Sequence, residues 1–145
     1  MGMISFNFTK MDIEKKKPVT GKVNIGNNVV IKEVSEKDIS FSKDQKGVQF
    51  NFEFTSKYEP DYGYINLNGE ALYLEDRARA KEIIDDWKNN KRVDKHLMAN
   101  VLNNVLMRCN IQALILSQSI NLPPPIPLPK VNVDVEQPQQ AQKKK

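Results

Sequence analysis

His96 is the only histidine and Cys109 the only cysteine in this 145-residue chain, and those two facts narrow the chemistry open to it. A lone histidine leaves no partner for a histidine-pair metal site and little for a Ser/His/Asp arrangement to draw on. His96 reads instead as capping or decorating the start of a helix. Cys109 falls at helical spacing between Val105 and Ala113, where a thiol is packing rather than nucleophile. The adjacent carboxylates Glu75-Asp76 and Asp85-Asp86 are the remaining acid-base candidates. Neighbouring positions on a helix point in different directions, so they read as a solvated face. Six glycines contain no spacing of the P-loop or Rossmann kind. The expectation is a non-enzyme, with no catalytic residues, no metal and no cofactor.

Composition bounds the partners. The net charge of +4 comes partly from Lys15-Lys16-Lys17 and Lys143-Lys144-Lys145, without the interleaved aromatics or motif of a nucleic-acid reader, and no nucleic-acid partner is expected. No stretch is long enough to span a bilayer, Met1 to Thr20 lacks the pattern of a signal peptide, and Phe6 stands where myristoylation wants Ser or Thr. Cytoplasmic residence without membrane insertion follows as an expectation. A lone cysteine allows no intrachain disulfide, so packing alone must hold the fold.

The elements that must do that packing are legible from period. Ile4, Phe6 and Phe8 alternate with polar residues and then slip phase to Met11 and Ile13, as a strand with a bulge or bend would. Lys22 to Val34 reads as a second strand, with Gly26-Asn27-Asn28 as a turn or bulge within it. Val48, Phe50, Phe52 and Phe54 alternate strictly, with one face in the core and the other in solvent. Glu59 to Gly63 supplies a turn into a fourth strand, Tyr64 to Leu74, and the two predict an antiparallel hairpin. From Asp76, a plausible N-cap, Ala80, Ile83, Ile84 and Trp87 recur at helical spacing to Asn90, and a long helix follows from Val93 to Ser119. The class is α+β, a four-stranded antiparallel sheet followed by a short and a long helix, then an extended proline-rich arm. Residues 1–134 read as one domain and 135–145 as a disordered polar and basic tail.

The long helix carries more apolar surface than one sheet can cover. At about 100° per residue, Met98, Leu102, Val105, Cys109, Ala113, Leu116 and Ile120 form a stripe that should meet the sheet, with Asn103, Asn110 and Ser117 to one side. Met107, Ile111, Leu114 and Ile115 line up roughly opposite. Leaving them wet forgoes roughly 1.5 to 3 kcal/mol for each large side chain. Two covers are open: the segment from Leu122 to Val133 folding back, or a second copy of the chain applying the same face.

Leu122-Pro123-Pro124-Pro125-Ile126-Pro127-Leu128-Pro129 must be extended and must end the helix. It reads either as an arm lying on its own domain through Leu122, Ile126 and Leu128, or as a polyproline ligand by which a non-enzymatic interaction module docks one folded partner.

Element order and local strings resemble the SecB export-chaperone family. Phe8-Thr9-Lys10-Met11-Asp12-Ile13 is similar to a first-strand segment of those proteins, and Ser35-Glu36-Lys37-Asp38-Ile39-Ser40-Phe41 resembles it too. Ala99-Asn100-Val101-Leu102, Arg108-Cys109-Asn110-Ile111, Leu122-Pro123 and Asn132-Val133-Asp134 are similar to the helix and the segment after it. The resemblance covers roughly residues 4 to 134. It implies an ATP-independent holdase for unfolded or precursor polypeptides, with protein export as its setting, assembled as a dimer or tetramer. Beyond that segment the chain turns polar where SecB proteins carry a further helix, and it is basic where they are acidic, so docking to the SecA motor is not carried over. The oligomer interface expected is Met107, Ile111, Leu114 and Ile115. The peptide-binding residues expected are Leu114, Ile115, Ile120, Leu122, Ile126 and Leu128.

Overall fold

The computed structural model describes residues 2–39 and 43–129. Ser40 to Ser42 and residues 130–145, with the expected tail and the Asn132-Val133-Asp134 string, lie outside them.

Four strands, β1 (Gly2–Lys15), β2 (Asn24–Lys37), β3 (Gln45–Glu59) and β4 (Gly63–Asp76), precede two helices, α1 (Arg77–Asn90) and α2 (Lys95–Ser119). This is the α+β class the periodicity predicts. β3 and β4 pair as the expected antiparallel hairpin, Phe52 opposite Gly69 and Phe54 opposite Leu67. The sheet order is β1-β4-β3-β2, all antiparallel, so the first two strands occupy opposite edges. Residues 16–23 must therefore cross past the turn of the hairpin. The Lys16 N–H donates to the Tyr62 carbonyl at 2.8 Å, the Tyr62 hydroxyl donates to the Thr20 carbonyl, and the Lys17 ammonium lies 5.2 Å from the Tyr62 ring centre.

Period two in β3 becomes a two-faced sheet. Val48, Phe50, Phe52 and Phe54 are buried with Ile65, Leu67, Ala71 and Tyr73 of β4, and both helices pack on that face. Gln49, Asn51, Glu53 and Thr55 alternate with them on the open face. The phase slip in β1 is a real break in register between Phe8 and Lys10, with a second between Met3 and Ser5. It lets Phe6 stack on Phe52, ring centres 5.2 Å apart, while Phe8 meets both edge to face. Gly26-Asn27-Asn28 is neither turn nor bulge. It runs on as regular strand opposite Lys57, Ser56 and Thr55, and the irregularity of β2 falls between Ile31 and Glu33 instead. Small and amide side chains are poor strand formers in isolation, but pairing along the whole of β3 overrides that preference.

Asp76 caps α1 as expected, accepting from the Arg79 N–H at 2.8 Å. Ala80, Ile83, Ile84 and Trp87 turn inward. The Trp87 indole N–H donates to the Glu33 carboxylate at 2.6 Å, tying α1 to the edge strand β2. Asp94 caps α2, so His96 stands exposed in the first turn and takes no part in the cap.

Candidate functional site

The buried line along α2 is Val101, Val105, Cys109, Ala113 and Ser117, each four residues from the next. It overlaps the expected stripe only at Val105, Cys109 and Ala113. Met98, Leu116 and Ile120 flank it, partly buried, and Ser117, expected to one side, is fully buried with its hydroxyl donating to the Leu114 carbonyl at 2.7 Å. Contacts follow rows of every fourth residue, which are inclined to the helix axis. The buried line therefore drifts around the cylinder, whereas a stripe drawn parallel to the axis does not.

Opposite that line runs a parallel row, Met107, Ile111 and Ile115, with exposures of 56%, 56% and 52%. Leu114 is half-buried beside it. From Leu97 to Ser119 the helix has one charged residue, Arg108, and its guanidinium carbon sits 5.0 Å from the Phe6 ring centre, turned toward β1. Apart from Arg108, the exposed residues between Leu97 and Ser119 are apolar, amide or hydroxyl.

The described part of the arm, residues 122–129, does not cover the exposed row. α2 ends with Asn121 in the left-handed region at φ 56°, the Leu122 N–H donating to Ser117 O at 2.9 Å and the Asn121 N–H to Gln118 O at 3.3 Å. That is a helix stop of the Schellman type, with asparagine where glycine is usual and proline following at once. It sends the chain toward β3 and β2. Leu122 is 5% exposed in the core, the Tyr58 hydroxyl donates to the Pro123 carbonyl at 2.6 Å, and the Asn27 amide donates to the Pro125 carbonyl at 2.8 Å. Burial pushes the Tyr58 hydroxyl up to about 12, so it remains a donor at any ordinary pH. Of the expected peptide-binding residues, Leu122 is thus the anchor. Ile120 and Ile126 are half-buried nearby, and Leu128 is exposed at 44%.

The residues with chemistry in their types are placed as structure. Cys109 is fully buried and burial raises its thiol to about 12. Asp85 pairs with Lys81 at 2.9 Å on the α1 surface. A hollow of about 490 Å³ opens on the polar face of the sheet between Asp12, Glu53, Thr55, Tyr64 and Asn66. Within it the Asn66 amide donates to Glu53 at 2.8 Å and to Thr55 at 2.9 Å. Among the described residues no three His, Cys, Asp or Glu side chains converge, and no helix is long and apolar enough to cross a membrane.

Reading by period missed Val101, Asn27, Tyr58 and the isolation of Asn110. Val101 was findable by stepping in fours from Cys109. The two arm contacts join residues 65 and 98 positions apart, and no local pattern encodes them.

No family model matches the chain, and no curated protein matches it. Among solved structures, a SecB-like chaperone of Mycobacterium tuberculosis, determined in complex with a ChAD peptide from the HigA1 antitoxin, superposes over 92% of each chain at 12% identity and a TM-score of 0.46. That degree of likeness decides nothing about function.

Proposed function

We propose that this chain is a non-catalytic, ATP-independent holdase that binds unfolded or precursor polypeptides and works as a homo-oligomer. The observation that carries the reading is the row Met107, Ile111 and Ile115, each more than half exposed on a helix whose opposite side packs on the sheet. Unfolded chains offer apolar segments without a fixed shape, and what recognises them is apolar surface without charge specificity, not a polar constellation. The face divides naturally. The middle of the helix, Met107, Ile111, Leu114 and Ile115, serves assembly. Its end and the arm, from Leu114 and Ile115 through Ile120 to Ile126 and Leu128, with Leu122 as anchor, receive the client.

The rival reading, an arm that docks one folded partner, is weakened by the arm's engagement with its own domain at Tyr58 and Asn27. Light scattering of the full chain, with aggregation of an unrelated denatured protein measured in its presence and without ATP, tests the holdase. The expected results are a mass above that of the monomer and suppression near a stoichiometric ratio. Ile111→Glu with Ile115→Glu should lower the mass while leaving the fold intact. A monomer that suppresses nothing would overturn the proposal.

A further inference from the structure

From Leu122 to Pro127 the burial of the arm repeats every three residues. Leu122 and Pro125 are buried, Pro123 and Ile126 half-buried, and Pro124 and Pro127 exposed. Three residues per turn is the period of a polyproline helix, a shape that prolines set in advance. The groove beneath lies on the inner face of the sheet, where β2 meets β3. Tyr58 stands opposite Ile25 in register, so its hydroxyl and the Asn27 amide rise from levels two residues, about 6 to 7 Å, apart along the strands. The carbonyls they meet, those of Pro123 and Pro125, are also two residues apart, about 6 Å in a polyproline helix. Donor spacing and acceptor spacing match.

Both acceptors are backbone carbonyls, which any extended chain offers at the same interval. Only the seat of Pro125, with Ile25 and Val29 on either side of Asn27 partly buried against the core, selects a side chain. The hold is short as well. The chain bends at Pro125-Ile126, and Pro127, Leu128 and Pro129 are exposed beyond the bend, so about one turn of helix carries the whole grip. What the groove recognises is therefore a conformation, not membership of this chain.

We propose that Tyr58, Asn27 and the seat of Pro125 form a polyproline site, filled in cis by the arm and vacated for an extended segment of another polypeptide that carries a proline followed by an aliphatic residue, as Pro125-Ile126 does. Leu122 stays in the core, so residues 123–129 leave as a unit while α2 keeps its stop. The inference rests on the holdase reading for the partner, an unfolded polypeptide, and adds which of its segments are read. A tethered arm competes at high effective concentration, so segments that bind more weakly are refused.

The test uses the full chain and a fluorescent peptide with the sequence of residues 122–129. Pro124→Gly with Pro125→Gly in the chain raises the entropy the tethered arm must give up, which empties the site while Leu122 keeps its place. Fluorescence anisotropy should then show the peptide bound about tenfold or more tighter than by the wild type. Adding Tyr58→Phe or Asn27→Ala to that chain should weaken the peptide roughly threefold to tenfold, and a peptide with glycine in place of every proline should not bind. Should the double glycine variant fail to fold, Pro125→Ser alone, which empties only the buried seat, is titrated in the same way. No binding up to about 1 mM peptide, or equal affinity without the Tyr58 hydroxyl and the Asn27 amide, overturns the site. A glycine variant that refuses the peptide but gains mass with the wild type takes the arm of a second copy, which also overturns the proposal. Aggregation of a denatured protein is scored on the same samples. Protection without peptide binding overturns this site alone, whereas peptide binding without protection overturns the holdase reading and leaves the site standing.

Discussion

Phe52 lies across Gly69 so closely that a methyl group on Gly69 would stand 2.6 Å from its Cζ, and the same methyl would come within 2.3 Å of the Asn7 carbonyl oxygen. The missing side chain is what lets the Phe6, Phe8 and Phe52 rings close over the middle of the sheet, where β1 meets β4.

Gly69→Ala must therefore push the edge strand or the ring away. Overpacking of this kind costs about 1 to 3 kcal/mol. Thermal unfolding should report it, at about 2 to 4 °C for each kcal/mol in a chain of this size. An unchanged melting temperature would mean that β1 yields without strain.

The arm is held chiefly by Leu122 and by the Tyr58 and Asn27 donors. Tyr58→Phe leaves the Pro123 carbonyl without its donor and should cost about 0.5 to 1.5 kcal/mol. The local effect should exceed the global one. Cleavage by a post-proline endopeptidase at Pro125-Ile126 or Pro127-Leu128 should accelerate while the sheet resists as before, and equal cleavage rates in the two proteins would show that the hydroxyl does not hold the arm.

Much of the framework was readable because each element buries one face. Strict alternation from Val48 to Phe54, the phase slip after Phe8 and the spacing of Ala80, Ile83, Ile84 and Trp87 all became what they predict. Strand order was not readable, because β1 and β4 are joined by contacts across the whole sheet sequence and no local signal distinguishes which edge β1 takes. Gly26-Asn27-Asn28 misled for a related reason: its strand conformation is imposed by β3, not by its own preferences. On α2 the residues of the outer face were legible and the inner line only in part, since the tilt of the helix on the sheet is a property of the packing.

Trp87 is the only tryptophan, and its hydrogen bond to Glu33 makes it a reporter of that carboxylate. The Trp87 N–H, and after it the Val34 N–H, hold the Glu33 carboxyl below its ordinary value of 4.5. A depressed folded-state value means the contribution to stability is present above that ordinary value and is lost as the pH falls through the folded one. Acid titration of Trp87 emission should show a transition below pH 4.5 in the wild type, before global unfolding. Glu33→Gln, which can still accept the bond but does not ionise, should abolish that step. The same transition in both proteins would assign it to another group.

The β1-β4-β3-β2 order has a consequence for synthesis on the ribosome. β1 emerges before the other strands, yet its only partner among the described residues is β4, whose pairing residues start at Gly63. At the usual 5 to 20 residues per second, Phe6 and Phe8 stay unpaired for roughly 3 to 12 s while the remaining strands are made. During that interval the nascent chain is itself an unfolded polypeptide with an aromatic strand exposed, in need of the same protection that the finished molecule is proposed to give.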